Sequence, residues 1–149
     1  MPIDKSGDFW KSPDAADIFP FLKDLAREEG TIPINQYRAA TCTCGSNRFR
    51  LTGDDEEGCA RRDCAQCKTS HFICDSGDYW GEAEPAKLIC HGCAGDIFNA
   101  GAGFSLEKGK GPDVQWVTIG QRCVRCGILG SFTDWKISYS PSSHLIDQV

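Results

Sequence analysis

Eight of the ten cysteines in this 149-residue chain fall into four close pairs: Cys42/Cys44, Cys64/Cys67, Cys90/Cys93 and Cys123/Cys126. A short spacing turns both sulfurs of a pair to one side and leaves backbone amides behind them to donate to thiolates. A glycine after the pair, as at Gly45 and Gly127, accepts the left-handed backbone angle that such a turn needs. Two turns of this kind facing each other form a closed four-sulfur metal site. Taken in order, the cysteines give C-x-C-G-x18-C-x2-C and C-x2-C-x29-C-x2-C-G. The expectation is two structural sites, each holding one Zn2+.

Four half-sites can also be joined in interleaved or nested order. Loops of 19 and 29 residues close more readily than loops of 45 and 55, but only by roughly 1 kcal/mol, because closure entropy grows with the logarithm of length. The stronger argument is the strand-tip-strand pattern inside each short loop. A hairpin there sets the two turns side by side, so sequential pairing is expected. Cys59 and Cys74 are left over, the first as a substitute ligand and the second as a buried thiol.

Ten cysteines at this length mean either metal or disulfides. Met1 to Asp8 has no basic start followed by an apolar core, and no later run is long and apolar enough to cross a bilayer. A cytoplasmic, reducing setting is therefore expected, in which paired cysteines hold metal. The formal charge is −5, and two four-thiolate sites, each near −2 when loaded, would take it to about −9. That balance disfavours nonspecific nucleic-acid binding but leaves room for a local basic face.

Residues 1–30 read as an arm and a helix over 13–29. Ser12-Pro13-Asp14 opens the helix, Ile18, Leu22 and Leu25 share one side, and Gly30 stops it. Pro20 inside it implies a kink or a restart. Residues 31–76 form the first metal unit, with strands at 31–41, 48–52 and 69–74 and a charged tip at 53–58. Residues 77–86 are rich in turn formers and read as a linker. The second unit, 87–149, has strands at 97–106 and 114–120 around a flexible tip at 107–113. A final hairpin is expected from 128–132 and 135–139, turned at Thr133-Asp134, and the tail from Ser140 has no evident place. The fold class is small, metal-stabilised and mainly β, with one N-terminal helix.

The two cysteine sets resemble the zinc-ribbon fold group, which implies two ribbons in tandem over about 42–74 and 87–139. The second set is also similar to rubredoxins, which bind iron, although Ala94-Gly95-Asp96 lacks their glycine-aromatic turn. The resemblance implies metal and fold; ribbons of this type bind nucleic acid, bind proteins, or brace a larger surface.

Both sets are closed with four sulfurs, whereas a catalytic zinc keeps a position open. His91 reads as an exposed turn residue, and His71 lies on the strand face opposite Cys74, so neither completes a nucleophile-base pair. The expectation is a non-enzymatic protein-interaction module, an adaptor, inhibitor or immunity-type partner, in contact through Tyr79 and Trp80. The alternative is nucleic-acid binding through Arg48, Arg50, Arg61 and Arg62, grouped with Lys68 around Phe49; rubredoxin-like electron transfer is a minor third reading.

Overall fold

The computed structural model describes residues 3–106 and 113–149. Most of the expected tip at 107–113 therefore lies outside the described residues. Ser12 Oγ accepts the Asp14 amide at 3.1 Å and Asp14 Oδ1 accepts that of Ala16 at 2.9 Å. These caps lead through a 3-10 turn, Ala15–Asp17, into α1 (Ile18–Glu29). Pro20 falls in the first turn of α1, where an amide has no ladder partner to lose, so the helix restarts there. Gly30 ends it at φ 67°, in the left-handed region.

Among the described residues eight strands follow: β1 (Gln36–Ala39), β2 (Phe49–Asp54), β3 (Cys59–Cys64), β4 (Ser70–Phe72), β5 (Ala86–Lys87), β6 (Phe98–Leu106), β7 (Val114–Cys123) and β8 (Leu129–Lys136). They form one sheet with the path β4-β3-β2-β6-β7-β8, with β1 added to β6 and β5 to β2, and every pairing is antiparallel. The strands before and after 77–86 thus share a sheet: β5 lies on β2, β1 pairs with β6 from Gln36–Phe104 to Ala39–Gly101, and β2 meets β6 at Phe49 with Phe98. Around that junction the two wings enclose the main core, which includes Phe49, Leu51, Phe104, Val117, Ile119 and Trp135.

α1 covers the other side of β6 and β7 with Ile18, Phe21, Leu22 and Ala26, the i, i+3, i+4, i+8 stripe of an amphipathic helix. A side chain at Gly120 would stand 2.8 Å from Ile18 Cγ2 and 3.0 Å from Leu22 Cδ1. Glycine there lets the helix lie directly on the sheet.

One expectation is corrected. Residues 128–139 do not form a hairpin: β8 is one strand, paired with β7 from Arg122–Leu129 to Trp116–Lys136. Thr133 opposes Ile119 and Ser131 opposes Gly120, so Phe132 is the extra residue of a bulge. Thr133 is buried and Asp134 exposed, the alternation of a strand, and the continuous ladder with β7 outweighs the turn propensity of that polar pair.

The tail, for which the sequence showed no evident place, joins the core. Leu145, Ile146 and Val149 are buried around a short 3-10 segment, Ser143–Asp147. The tail is tied to the first half: Cys74 N donates to Gln148 O at 2.8 Å, and Arg62 Nε donates to Val149 O at 2.9 Å.

Buried Asp75 links that tail region to β8. It accepts the Trp135 indole N–H at 3.0 Å and the Tyr139 hydroxyl at 2.7 Å. Asp75→Ala strands the indole donor in a buried site, and a loss of about 1–3 kcal/mol is expected in denaturant unfolding, whereas Asp75→Asn keeps an acceptor and loses less.

Candidate metal centres

All four cysteine pairs form the same turn. The N–H of the residue after the second cysteine donates to the carbonyl of the first: Gly45 to Cys42 (2.8 Å), Lys68 to Cys64 (3.0 Å), Ala94 to Cys90 (2.9 Å) and Gly127 to Cys123 (2.8 Å). The first cysteine's own N–H then donates to the carbonyl one residue further on, at Ser46, Thr69, Gly95 and Ile128. Cys42-Thr43-Cys44 closes this turn with one residue fewer than the other three. The shorter spacing therefore does not remove it from the ligand set.

The residue after each pair takes a left-handed angle: Gly45 at φ 92°, Lys68 at 67°, Ala94 at 62° and Gly127 at 82°. Two of the four carry side chains in a region that costs them about 1 kcal/mol or more. Ala94→Gly is expected to be neutral to stabilising by up to ~1 kcal/mol in thermal unfolding of the metal-loaded protein, since relief of strain and added unfolded-state entropy oppose each other. Gly127→Ala should destabilise, because its Cβ would also sit 2.7 Å from Ser12 O.

The turns pair sequentially. The sulfurs of Cys42, Cys44, Cys64 and Cys67 lie within 4.8 Å of one another, and so do those of Cys90, Cys93, Cys123 and Cys126. The shortest separations are 3.4 Å for Cys42–Cys67, 3.6 Å for Cys44–Cys64, and 3.5 Å for both Cys90–Cys126 and Cys93–Cys123. Four thiolates ~2.3 Å from a central ion at tetrahedral angles stand about 3.8 Å apart, so both sets fit a tetrahedral thiophilic divalent metal. Each can hold one ion, and the arrangement is zinc-ribbon-like.

Register explains why the sets converge. Phe49 and Phe98 each stand five residues after a second cysteine. Phe49 pairs with Cys64 and Phe98 pairs with Cys123, the first cysteines of the opposite turns. A hairpin of either length thus delivers its closing turn beside its opening one. The Phe49–Phe98 pair then sets the two centres on either side of the wing junction.

The sulfurs divide: the thiols of Cys44, Cys123 and Cys126 are raised, the last two chiefly by burial, whereas polar groups favour the thiolate at Cys64, Cys67 and Cys90. The Cys67 amide, 3.5 Å from Cys64 Sγ, holds the Cys64 thiol down at about 6. Burial works against ionisation at Cys90, yet the amides of Cys93 and Gly92 hold it at about 7. Thr69 Oγ1 stands 3.1 Å from Cys67 Sγ and lowers that thiol as well. The centres differ in exposure: Cys44 and Cys67 are exposed in the first, whereas Cys93 and Cys126 are half-buried in the second.

The remaining candidates separate. Cys59 is buried outside both sets, and burial raises its thiol. Cys74 is buried too, donates to Leu145 O at 3.3 Å, and is pushed up chiefly by burial. His71 Nε2 is 2.9 Å from Gln148 O, away from any thiol partnership. His91 is exposed and stacks on Phe9 with centroids 6.3 Å apart.

The arginines expected on one basic face do not stay together. Arg62 opposes Leu51 in register and so points into the core, while Arg61 and Arg50 face outward. Its guanidinium lies over the Phe49 ring at 4.9 Å, and burial lowers its pKa while the Cys42 and Cys64 charges oppose that shift. Arg62 is thus a buried counter-charge to the first centre, and it drops out of the exposed contact set. Sequence reasoning missed this because β3 carries two adjacent arginines, and strand period alone does not say which one faces inward.

Arg50 pairs with Asp96 at 3.2 Å and Arg61 with Asp63 at 3.2 Å; Arg48 is exposed. Asp96 also meets Lys87 Nζ at 2.7 Å, and the Lys87 and Arg50 hydrogen bonds lower its carboxyl. Its contribution is therefore complete above the ordinary carboxylate range near 4 and is lost as pH falls through the lowered value. These side chains are roughly a third to a half exposed, so Asp96→Asn should cost under ~1 kcal/mol at pH 7 and nothing once Asp96 is protonated, read from denaturant unfolding at both pH values.

Tyr79 is exposed, and Trp80 is half-buried against Phe72, with ring centroids 5.1 Å apart and the Arg61 guanidinium 5.2 Å over the indole. Phe72 is itself 40% exposed, a residue the sequence alone assigned to a strand without a contact role. No helix among the described residues is long and apolar enough to cross a membrane. Comparison with protein-family models, with curated proteins and with solved structures finds no match for this chain.

Proposed function

We propose that this chain is a non-enzymatic, two-zinc protein-interaction module whose contact surface is the aromatic cluster of Phe72, Tyr79 and Trp80 with Arg61. The observation that carries the reading is the Phe72–Trp80 pair: two large rings in edge contact at the surface, one beneath a guanidinium. Aromatic side chains and arginine are the groups that most often anchor protein interfaces. Zinc is the metal that four-thiolate tetrahedral sets commonly take. Four converging sulfurs at each centre leave no open position for a substrate, which supports a structural role for the metal and a function in binding. A nucleic-acid reading has less support, because Arg62 is buried and Arg50 and Arg61 are engaged by carboxylates.

The test is affinity capture from native cells with nuclease present, comparing the parent chain with Trp80→Ala and Phe72→Ala at equal zinc content. A protein retained by the parent and lost from both variants supports the reading. Equal retention by all three, or material removed by nuclease, overturns it.

A further inference from the structure

Beside α1 lies a recess that neither metal centre uses. It holds about 520 Å³ and opens between the last turns of α1, residues 30–34, the β2–β3 turn and the adjoining parts of β7 and β8. That size is within the ~300–1,000 Å³ of ordinary ligand clefts.

The lining is chemically divided. Leu22, Leu25, Ile32 and Ile34 form an apolar wall, with Ile32 left 39% exposed. Three carboxylates come from three separate elements: Glu29 at the end of α1, Asp55 in the β2–β3 turn, and Asp134 on β8. Among the described residues none of them forms an ion pair, although Asp24, Asp63, Asp96 and Asp147 all do. The C-terminal end of α1 adds its own partial negative charge at the same place. Trp116 lines the same recess, and the Asp134 carboxyl is raised first by partial desolvation and then by Asp55 and, more weakly, Glu29, against a lowering by Trp116.

A neutral apolar ligand would cover the wall and leave the carboxylates uncompensated. An anion would be repelled. An organic cation with an aliphatic body satisfies both sides: its chain takes the apolar wall, and its head group takes the acidic rim formed by the exposed Glu29, Asp55 and Asp134.

We propose that this recess binds a primary alkylammonium group, with the aliphatic chain along Leu22, Leu25, Ile32 and Ile34 and the ammonium facing Glu29, Asp55 and Asp134. The proposal is independent of the Phe72–Trp80 surface, which is built from other elements. The same chemistry occurs in free amines and in lysine side chains, so the probes separate the two sources.

The full-length, zinc-loaded chain is titrated by nitrogen-proton NMR with hexylamine, with 1-hexanol as the uncharged counterpart, and with a lysine blocked at both backbone ends. Hexylamine should shift the Trp116 indole N–H and the amides of 29–34 and 133–134, and should bind about tenfold or more tightly than hexanol. The relative affinity of the blocked lysine assigns the source: tighter than hexylamine means a lysine side chain, and weaker means a free amine. Asp55→Asn with Asp134→Asn keeps the size and polarity of both side chains while removing two charges; it should lower hexylamine affinity about five- to tenfold and leave zinc content unchanged. Equal binding of hexylamine and hexanol, shifts centred elsewhere, an affinity indifferent to the double substitution, or no response at tens of millimolar overturns the proposal.

Discussion

Cys123→Ser should leave about one zinc per chain and abolish the cooperative fold of the second wing. Cys123 is fully buried at the end of β7, pairs in register with Phe98, and belongs to the main core as well as to the second metal set. A structural four-thiolate zinc contributes ~10–16 kcal/mol of binding free energy, against a net stability of only ~5–15 kcal/mol for a chain of this size. Losing a centre therefore exceeds what the rest of the core can offset. Elemental analysis should find about two zinc in the parent protein, and circular dichroism should report loss of sheet in the variant. A parent that folds fully without metal would overturn the assignment, and a red iron-loaded protein would redirect it to electron transfer. Chelation should also proceed in order: with Cys44 and Cys67 exposed, the first centre should release its metal before the second.

Phe49→Ala should cost about 3–5 kcal/mol, a fall in midpoint on the order of 10 °C in thermal unfolding of the zinc-loaded protein. The ring is fully buried, and Phe49 forms the one register pair between β2 and β6 while also opposing Cys64. Removing it empties space at the junction and beneath the Arg62 guanidinium at once. Phe72→Ala is the matched control, because a ring left 40% exposed should cost under ~1 kcal/mol. Equal losses from the two would mean that the buried ring at the β2–β6 pair contributes no more than a ring at the surface.

Much of the metal chemistry was legible from spacing. A cysteine turn is a local device, so its geometry follows from two or three residues between sulfurs and a tolerance for a left-handed angle after them. Sequential pairing followed because each hairpin is also local: strand, tip and returning strand bring Cys42–Cys44 to Cys64–Cys67 without help from the rest of the chain. The helix and its stop at Gly30 were legible for the same reason, since caps and periodicity act within one or two turns, while the choice between a kink and a restart at Pro20 was left to the structure.

Other features depend on partners distant in sequence. Thr133-Asp134 has the composition of a turn, and only the β7 ladder beside it keeps β8 straight with a bulge at Phe132. The tail has too few apolar residues to announce itself, and Leu145 and Val149 become core because the first wing leaves a place for them. Arg61 and Arg62 are neighbours of the same type, and register with Leu51 alone sends Arg62 inward beside the thiolates. The chain's residue pattern thus determines the two four-sulfur sets, the helix and the mainly β class, because those rest on short-range geometry. The joining of both halves in one sheet through the β1–β6 ladder and the Phe49–Phe98 pair, the burial of the tail, and the choice of arginines left at the surface were decided by tertiary structure, because each is a long-range contact whose free energy exists only once both partners are in place.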